Sequence, residues 1–183
     1  MKYIMTLFAV LLPSVAFAHV GHEQAVMSVG LAQGFLHPLL GLDHLLALMA
    51  VGILCARIQG KQKYMVPMVF MGLMLAGFFA AHAGLHLVSV GTIEMLISLS
   101  LVVSAGFVIL GRWLLNTGVF HKVAAWAITV FAAAHGMAHG LEIPVGANAQ
   151  GFALGFAGAC LLIMATTLLV IQAVKGRVLA HTA

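Results

Sequence analysis

Five apolar stretches, at about residues 26–56, 64–88, 92–110, 123–140 and 152–174, leave this chain few ways to fold. A run of about 18 or more nearly uncharged residues, rising about 1.5 Å per residue, spans a hydrocarbon layer about 30 Å thick as a helix. Inside such a layer every backbone N–H and C=O must find its partner within the protein, so segments of this kind are α-helical. The expected fold class is all-α: a polytopic membrane helix bundle with about five transmembrane helices. Composition agrees, because 63% of the residues are hydrophobic and only 7% charged, too few charges for the surface of a soluble domain.

Residues 1–18 read as a cleavable signal peptide ahead of a single transmembrane domain, 19–183. Lys2 supplies the positive start, residues 7–12 the apolar middle and Ala16-Phe17-Ala18 the small-x-small cleavage site; an uncleaved first helix is the alternative. Cleavage would leave His19 as the mature N-terminus, outside the cytoplasm. Five spans then put the tail in the cytoplasm. On that layout every Lys and Arg after residue 18 lies at a cytoplasmic end, and Glu23, Glu94 and Glu142 lie opposite, as the positive-inside rule requires. The net charge of +4 thus follows from topology, and no basic patch points to nucleic acid. Cys55 and Cys160 sit inside apolar runs and read as small packing residues rather than a disulfide.

The first run contains His37-Pro38-Leu39-Leu40-Gly41-Leu42-Asp43-His44. Proline removes a backbone donor and glycine weakens a helix, so the first helix is expected to break near Pro38. Broken helices at membrane depth face protein or a wet cavity, and they often bind ions. His82 and His86 are four apart in the second run and His135 and His139 four apart in the fourth, each pair on one helix face. Counting rises per residue puts His37, His82 and His135 at similar depth. Phe78-x-Ala80-Ala81-His82-x3-His86 is echoed by Phe131-x-Ala133-Ala134-His135-x3-His139, a pattern expected of a parallel repeat.

One buried imidazole is ordinarily a hydrogen-bonded packing residue, but six with a carboxylate at one depth are costly enough to imply a shared role. Imidazoles with a few carboxylates suit nickel(II), copper, zinc, cobalt or iron(II), whereas magnesium and calcium prefer oxygen. Candidate metal residues are therefore His37, Asp43, His44, His82, His86, His135 and His139, with His19 and His22 collecting the ion outside. Asp43 is either a ligand or the acceptor that fixes a histidine tautomer. His121 and His181, on the cytoplasmic side, receive no role. Met65, Met68, Met71 and Met74 read as apolar filler. Gly151-x3-Gly155, with Gly158 beyond it, suits a close helix contact, although glycine is common in membrane helices anyway.

The block from His37 through Asp43 and His44 to Gly52, with the later His135-Gly-Met-Ala-His139-Gly-Leu-Glu142-Ile-Pro144, resembles the HupE/UreJ family of bacterial membrane proteins over nearly the whole chain. The resemblance implies nickel uptake or supply for hydrogenase and urease, hence a nickel permease of the inner membrane. Its motif positions here are His37, Asp43, His44, His135, His139 and Glu142, and it implies cytoplasmic nickel-enzyme maturation proteins as partners.

The reading is a non-enzymatic permease that passes nickel(II), or a similar zinc, cobalt or copper ion, from periplasm to cytoplasm without an organic cofactor. No Gly-x4-Gly-Lys-Ser/Thr phosphate loop is present. The alternatives are a metal-binding accessory protein or sensor, a haem-binding electron carrier with facing histidines, and an intramembrane metalloenzyme, against which the absence of His-Glu-x2-His argues. Sequence leaves the oligomeric state open.

Overall fold

The computed structural model describes residues 30–85, 88–113, 117–143 and 148–181. The predicted signal peptide, His19, His22 and His86 lie outside the described residues. All regular structure among the described residues is helical.

The first span is two helices, Gly30–Leu40 (α1) and Leu42–Cys55 (α2), bent by 77°. Pro38 stays inside α1, and the corner falls just beyond it, at Gly41, whose backbone is extended with φ −81° and ψ 107°. Pro38 weakens the ladder because it cannot donate to the carbonyl one turn earlier. The chain is still tied across the corner, since Gly41 N–H donates to the His37 carbonyl at 3.0 Å and Leu45 N–H to the Gly41 carbonyl at 2.9 Å.

Gln62–His82 (α3), Val90–Trp113 (α4) and Ala149–His181 (α7) contain apolar stretches of 21, 22 and 27 residues, each long enough to cross a membrane. With the bent pair counted as one, the described residues hold up to four candidate spans by length and composition. The predicted fourth span, 123–140, is divided into Gly118–Thr129 (α5) and Ala132–Leu141 (α6), of 12 and 10 residues. Neither piece is long enough by itself. The cause of the division is visible in the ladder. Thr129 donates its hydroxyl to the Ala125 carbonyl at 2.9 Å, a side-chain bond that competes with the helix. Val130 and Phe131 then donate to Ala127 and Ile128, the tighter i to i−3 pattern that marks a helix interruption.

Packing joins the broken spans to whole ones. α1 lies along α7, α6 lies along α3, and α2 runs through the middle against α3, α4, α5 and α7. The α3–α6 contact brings backbones together: a Cβ on Gly136 would run into the Met74 carbonyl, the small-residue approach used between membrane helices. α7 meets α1 likewise, with Gly155 against the Leu31 carbonyl, whereas Gly158 faces open space. Val51, Leu54, Cys55, Val66, Ala125 and Cys160 form the fully buried centre. Both cysteines are free and buried. The methionine stripe divides, since Met71 and Met74 are buried while Met65 and Met68 are exposed.

His121 of α5 is fully buried beside Arg57. Its Nδ1–H donates to the Thr117 carbonyl at 2.6 Å and its Nε2 accepts from Arg57 at 3.1 Å. Burial, joined by the Arg57 charge, holds this imidazole below its ordinary range, consistent with a neutral acceptor.

Gly136→Ala should lower stability by about 1–3 kcal/mol through overpacking, whereas Gly158→Ala should stay within about 0.5 kcal/mol. Thermal unfolding of the purified chain in detergent compares the two.

Candidate metal centre

His37 stands in the last turn of α1 and His44 in the first turn of α2. In a straight helix, residues seven apart are separated by about 10.5 Å along the axis. The corner at Gly41 reduces their ring centroids to 5.1 Å. Gly41 also has to be small, because a Cβ there would come within 2.8 Å of His44 Nδ1.

The third ring, His139 of α6, lies 4.7 Å from both His37 and His44. One nitrogen from each of the three lies within 4.8 Å of the others, so the group could hold a metal ion. His44 and His139 are 7% and 3% exposed, and His37 is half-buried. Phe152 and Phe156 of α7 pack against His37 at 5.8 and 6.0 Å, and Phe156 lies 4.6 Å from His139. These rings give the imidazoles an apolar wall on one side.

The protons of the centre can be placed. Asp43 Oδ1 accepts from His44 Nδ1–H at 3.0 Å, so the carboxylate orients the ring and aims Nε2 inward. That Nε2 lies 2.9 Å from His139 Nε2, and a contact this short between two imidazole nitrogens holds one proton. A metal ion could take the proton's place. Two nitrogens each bound at about 2.0–2.1 Å lie about 2.9 Å apart when they subtend a right angle, as in square-planar or octahedral sites. Nitrogens opposed across one ion are at most about 4.1 Å apart, close to the 4.8 Å within which all three lie.

His135 sits one turn before His139, 6% exposed, with its ring 6.2 Å from that of His44. Its Nε2 meets Ser100 Oγ of α4 at 2.8 Å, and that hydroxyl donates its own proton to the Ile97 carbonyl at 2.6 Å. Ser100 therefore accepts from Nε2–H, which leaves the lone pair of His135 on Nδ1.

The structure gathers His37, His44 and His139 into one group, with Asp43 behind His44 and His135 alongside. His82 lies apart, exposed at the end of α3 with its ring stacked on Phe78 at 6.3 Å. The two halves of the sequence echo thus differ in setting, since His135 is buried and His82 is not. Glu142 follows α6 as its C-cap and is exposed. Sequence reasoning missed Ser100, although two serines one turn apart, Ser100 and Ser104, are a polar signal inside the third apolar run. It also missed the aromatic wall, because phenylalanine in an apolar span carries no signal of its own.

A family model described as HupE / UreJ protein matches residues 7–182, which takes in both broken spans. The chain belongs to the HupE/UreJ family. HupE of Rhizobium leguminosarum bv. viciae is 34% identical over 162 residues, covering 88% of this chain and 78% of that relative. No solved structure matches.

In this HupE/UreJ centre, Asp43→Asn should weaken nickel(II) binding by about 10- to 100-fold, the usual cost of removing a carboxylate that orients a metal-binding histidine. Binding to the wild type should also weaken on acidification, since the ion must displace the shared proton and protonated imidazoles cannot ligate. Isothermal titration of the purified chain with nickel(II) at several pH values checks both.

Proposed function

We propose that this protein is a permease that carries a divalent transition metal ion, nickel(II) foremost, across the bacterial inner membrane from periplasm to cytoplasm. The observation that carries the reading is the convergence of His37, His44 and His139 on one point beside a broken membrane span. Membership of the HupE/UreJ family supports it.

In this reading residues 1–18 are removed, the mature N-terminus is periplasmic, and His19 and His22 collect the ion. His37, His44 and His139 replace part of its water shell, and Asp43 offsets its charge while holding His44 in the binding tautomer. His135 stands next on the path, and His82, His86 and Glu142 belong to the outer approach. The membrane potential favours inward movement of cations by about 2.3 kcal/mol per charge per 100 mV. Passage requires that no station bind too tightly, which several partly shared sites achieve better than one closed cage. Zinc, cobalt and copper fit the same donors, and selectivity rests on geometry rather than affinity order. Delivery would serve cytoplasmic nickel-enzyme maturation proteins.

The packing favours an ion over a haem. The three imidazoles meet at ring separations of about 5 Å, His37 edge-on to the other two and His44 tilted by 40° on His139, with Phe152 and Phe156 against them, a spacing that suits one shared ion better than a planar macrocycle between the rings.

Uptake of radioactive nickel by cells expressing His37→Ala, Asp43→Ala or His44→Ala should fall to the level of cells lacking the protein. Uptake like wild type in all three, at matched membrane expression, would contradict the assignment.

A further inference from the structure

At the far end of α2 from His44, four helices converge on a polar cluster that the metal centre does not use. Arg57 follows the end of α2, His121 lies on α5 and Lys175 on α7. A Cβ on Gly111 of α4 would come within 2.8 Å of His121 Nε2, so a glycine there lets the buried ring in. His121 gives its Nδ1–H to the Thr117 carbonyl, which leaves Nε2 as its acceptor, and Nε2 takes a proton from Arg57 Nη1. Lys175 Nζ lies 3.5 Å from the Ala56 carbonyl. The Arg57 charge acts on both Lys175 and His121, so two cations from two helices share one corner of the bundle.

The charge balance of this corner points outward. The acidic residues of the chain are Glu23, Asp43, Glu94 and Glu142, and none belongs to the segments that carry the two cations. His121, a neutral acceptor, fixes the guanidinium without cancelling its charge. A guanidinium held in one plane presents a fork that matches the oxygens of a phosphate, and an ammonium beside it adds a point charge. Position selects the kind of phosphate. Lys175 closes the 27-residue apolar stretch of α7, so the pair stands where hydrocarbon gives way to headgroups. Tyr64 at the start of α3, 58% exposed with Lys63 Nζ 4.9 Å from its ring centroid, marks the same boundary, as interfacial tyrosines do. Val170 and Val174, in the turns of α7 before Lys175, are exposed and offer acyl chains an apolar face.

We propose that Arg57 and Lys175 form a binding site for the headgroup phosphate of an anionic phospholipid in the adjoining leaflet. His121 is the positioning residue that holds the Arg57 fork toward it. Basic pockets between membrane helices bind anionic headgroups in this way. On the positive-inside layout the leaflet is the cytoplasmic one, where anionic lipid is plentiful. A bound headgroup would tie the end of α2 to α7 at the end opposite the histidine centre. Neither nickel nor transport enters the inference, so it stands or falls independently of the permease reading.

Native mass spectrometry tests this on the full chain, freed of lipid in detergent and then titrated with phosphatidylglycerol or phosphatidylcholine. The wild type should retain phosphatidylglycerol in preference to phosphatidylcholine. Arg57→Gln and Lys175→Gln should each weaken phosphatidylglycerol binding about fivefold, the usual worth of one cation at an anionic surface. Lys175 is exposed, so its replacement leaves the core untouched. Lys61→Gln removes the same charge from the exposed turn at that end and should leave binding unchanged. His121→Leu keeps bulk but loses the acceptor, and it should narrow the preference between the two lipids, a ratio that a general loss of packing would not move. Equal retention of both lipids by the wild type would overturn the site. An equal loss in Lys61→Gln would overturn it too, by reducing the cluster to a diffuse charged face. Displacement of the lipid by millimolar inorganic phosphate would overturn the lipid as its ligand in favour of a free anion.

Discussion

The corner at Gly41 is the constraint on which the rest of the structure depends. A continuous first helix would carry His37 and His44 two turns apart, and no third helix could reach both with one imidazole. Turning the chain through 77° lets one span bring two imidazoles to a single point. The corner is local chemistry: a proline that cannot donate, followed by a glycine whose missing Cβ leaves room for the His44 ring. The exposed backbone groups of such a corner cannot face lipid. They are tolerable here because α7 covers one side and α6 reaches the other.

The second broken span follows the same logic by a different route. Thr129 donates its hydroxyl back to the Ala125 carbonyl, the ladder tightens at Val130 and Phe131, and α6 restarts with His135 and His139 on its inner face. Each broken helix is then held against an unbroken one by close backbone contact, α1 against α7 and α6 against α3. Interrupted elements thus supply the polar groups and continuous elements supply the rigidity. Inside hydrocarbon the imidazoles have no water to satisfy them, so each described link is internal: Asp43 to His44, His44 to His139, His135 to Ser100. A network of this kind holds its rings in place for a ligand.

How much of this could be read from the amino-acid sequence depends on the kind of signal each residue carries. The helical class and the break in the first span were legible, because long apolar runs and a Pro-x2-Gly segment have direct backbone consequences. His37, His44 and His139 were legible because imidazoles at membrane depth are rare and costly. The break was expected near Pro38, and it falls at Gly41 because proline only weakens the ladder while glycine absorbs the turn. The division of the 123–140 run was not foreseen. Nothing in Thr129 alone distinguishes a threonine that bonds back to its own helix from one that faces a neighbour. The exposed position of His82 escaped for a similar reason, since four-residue spacing fixes a shared face but not which neighbour that face meets. Ser100 was hidden by distance in the chain, as its role exists only where α4 crosses α6.

The account therefore comes down to whether imidazoles from α1, α2 and α6 bind one ion together. X-ray absorption at the nickel K-edge of the full chain, loaded with one equivalent of nickel(II), tests this most directly. The account predicts a first shell dominated by nitrogen at about 2.0–2.1 Å, with the outer-shell scattering of several imidazole rings. A shell of oxygen alone, with no imidazole scattering, would contradict it.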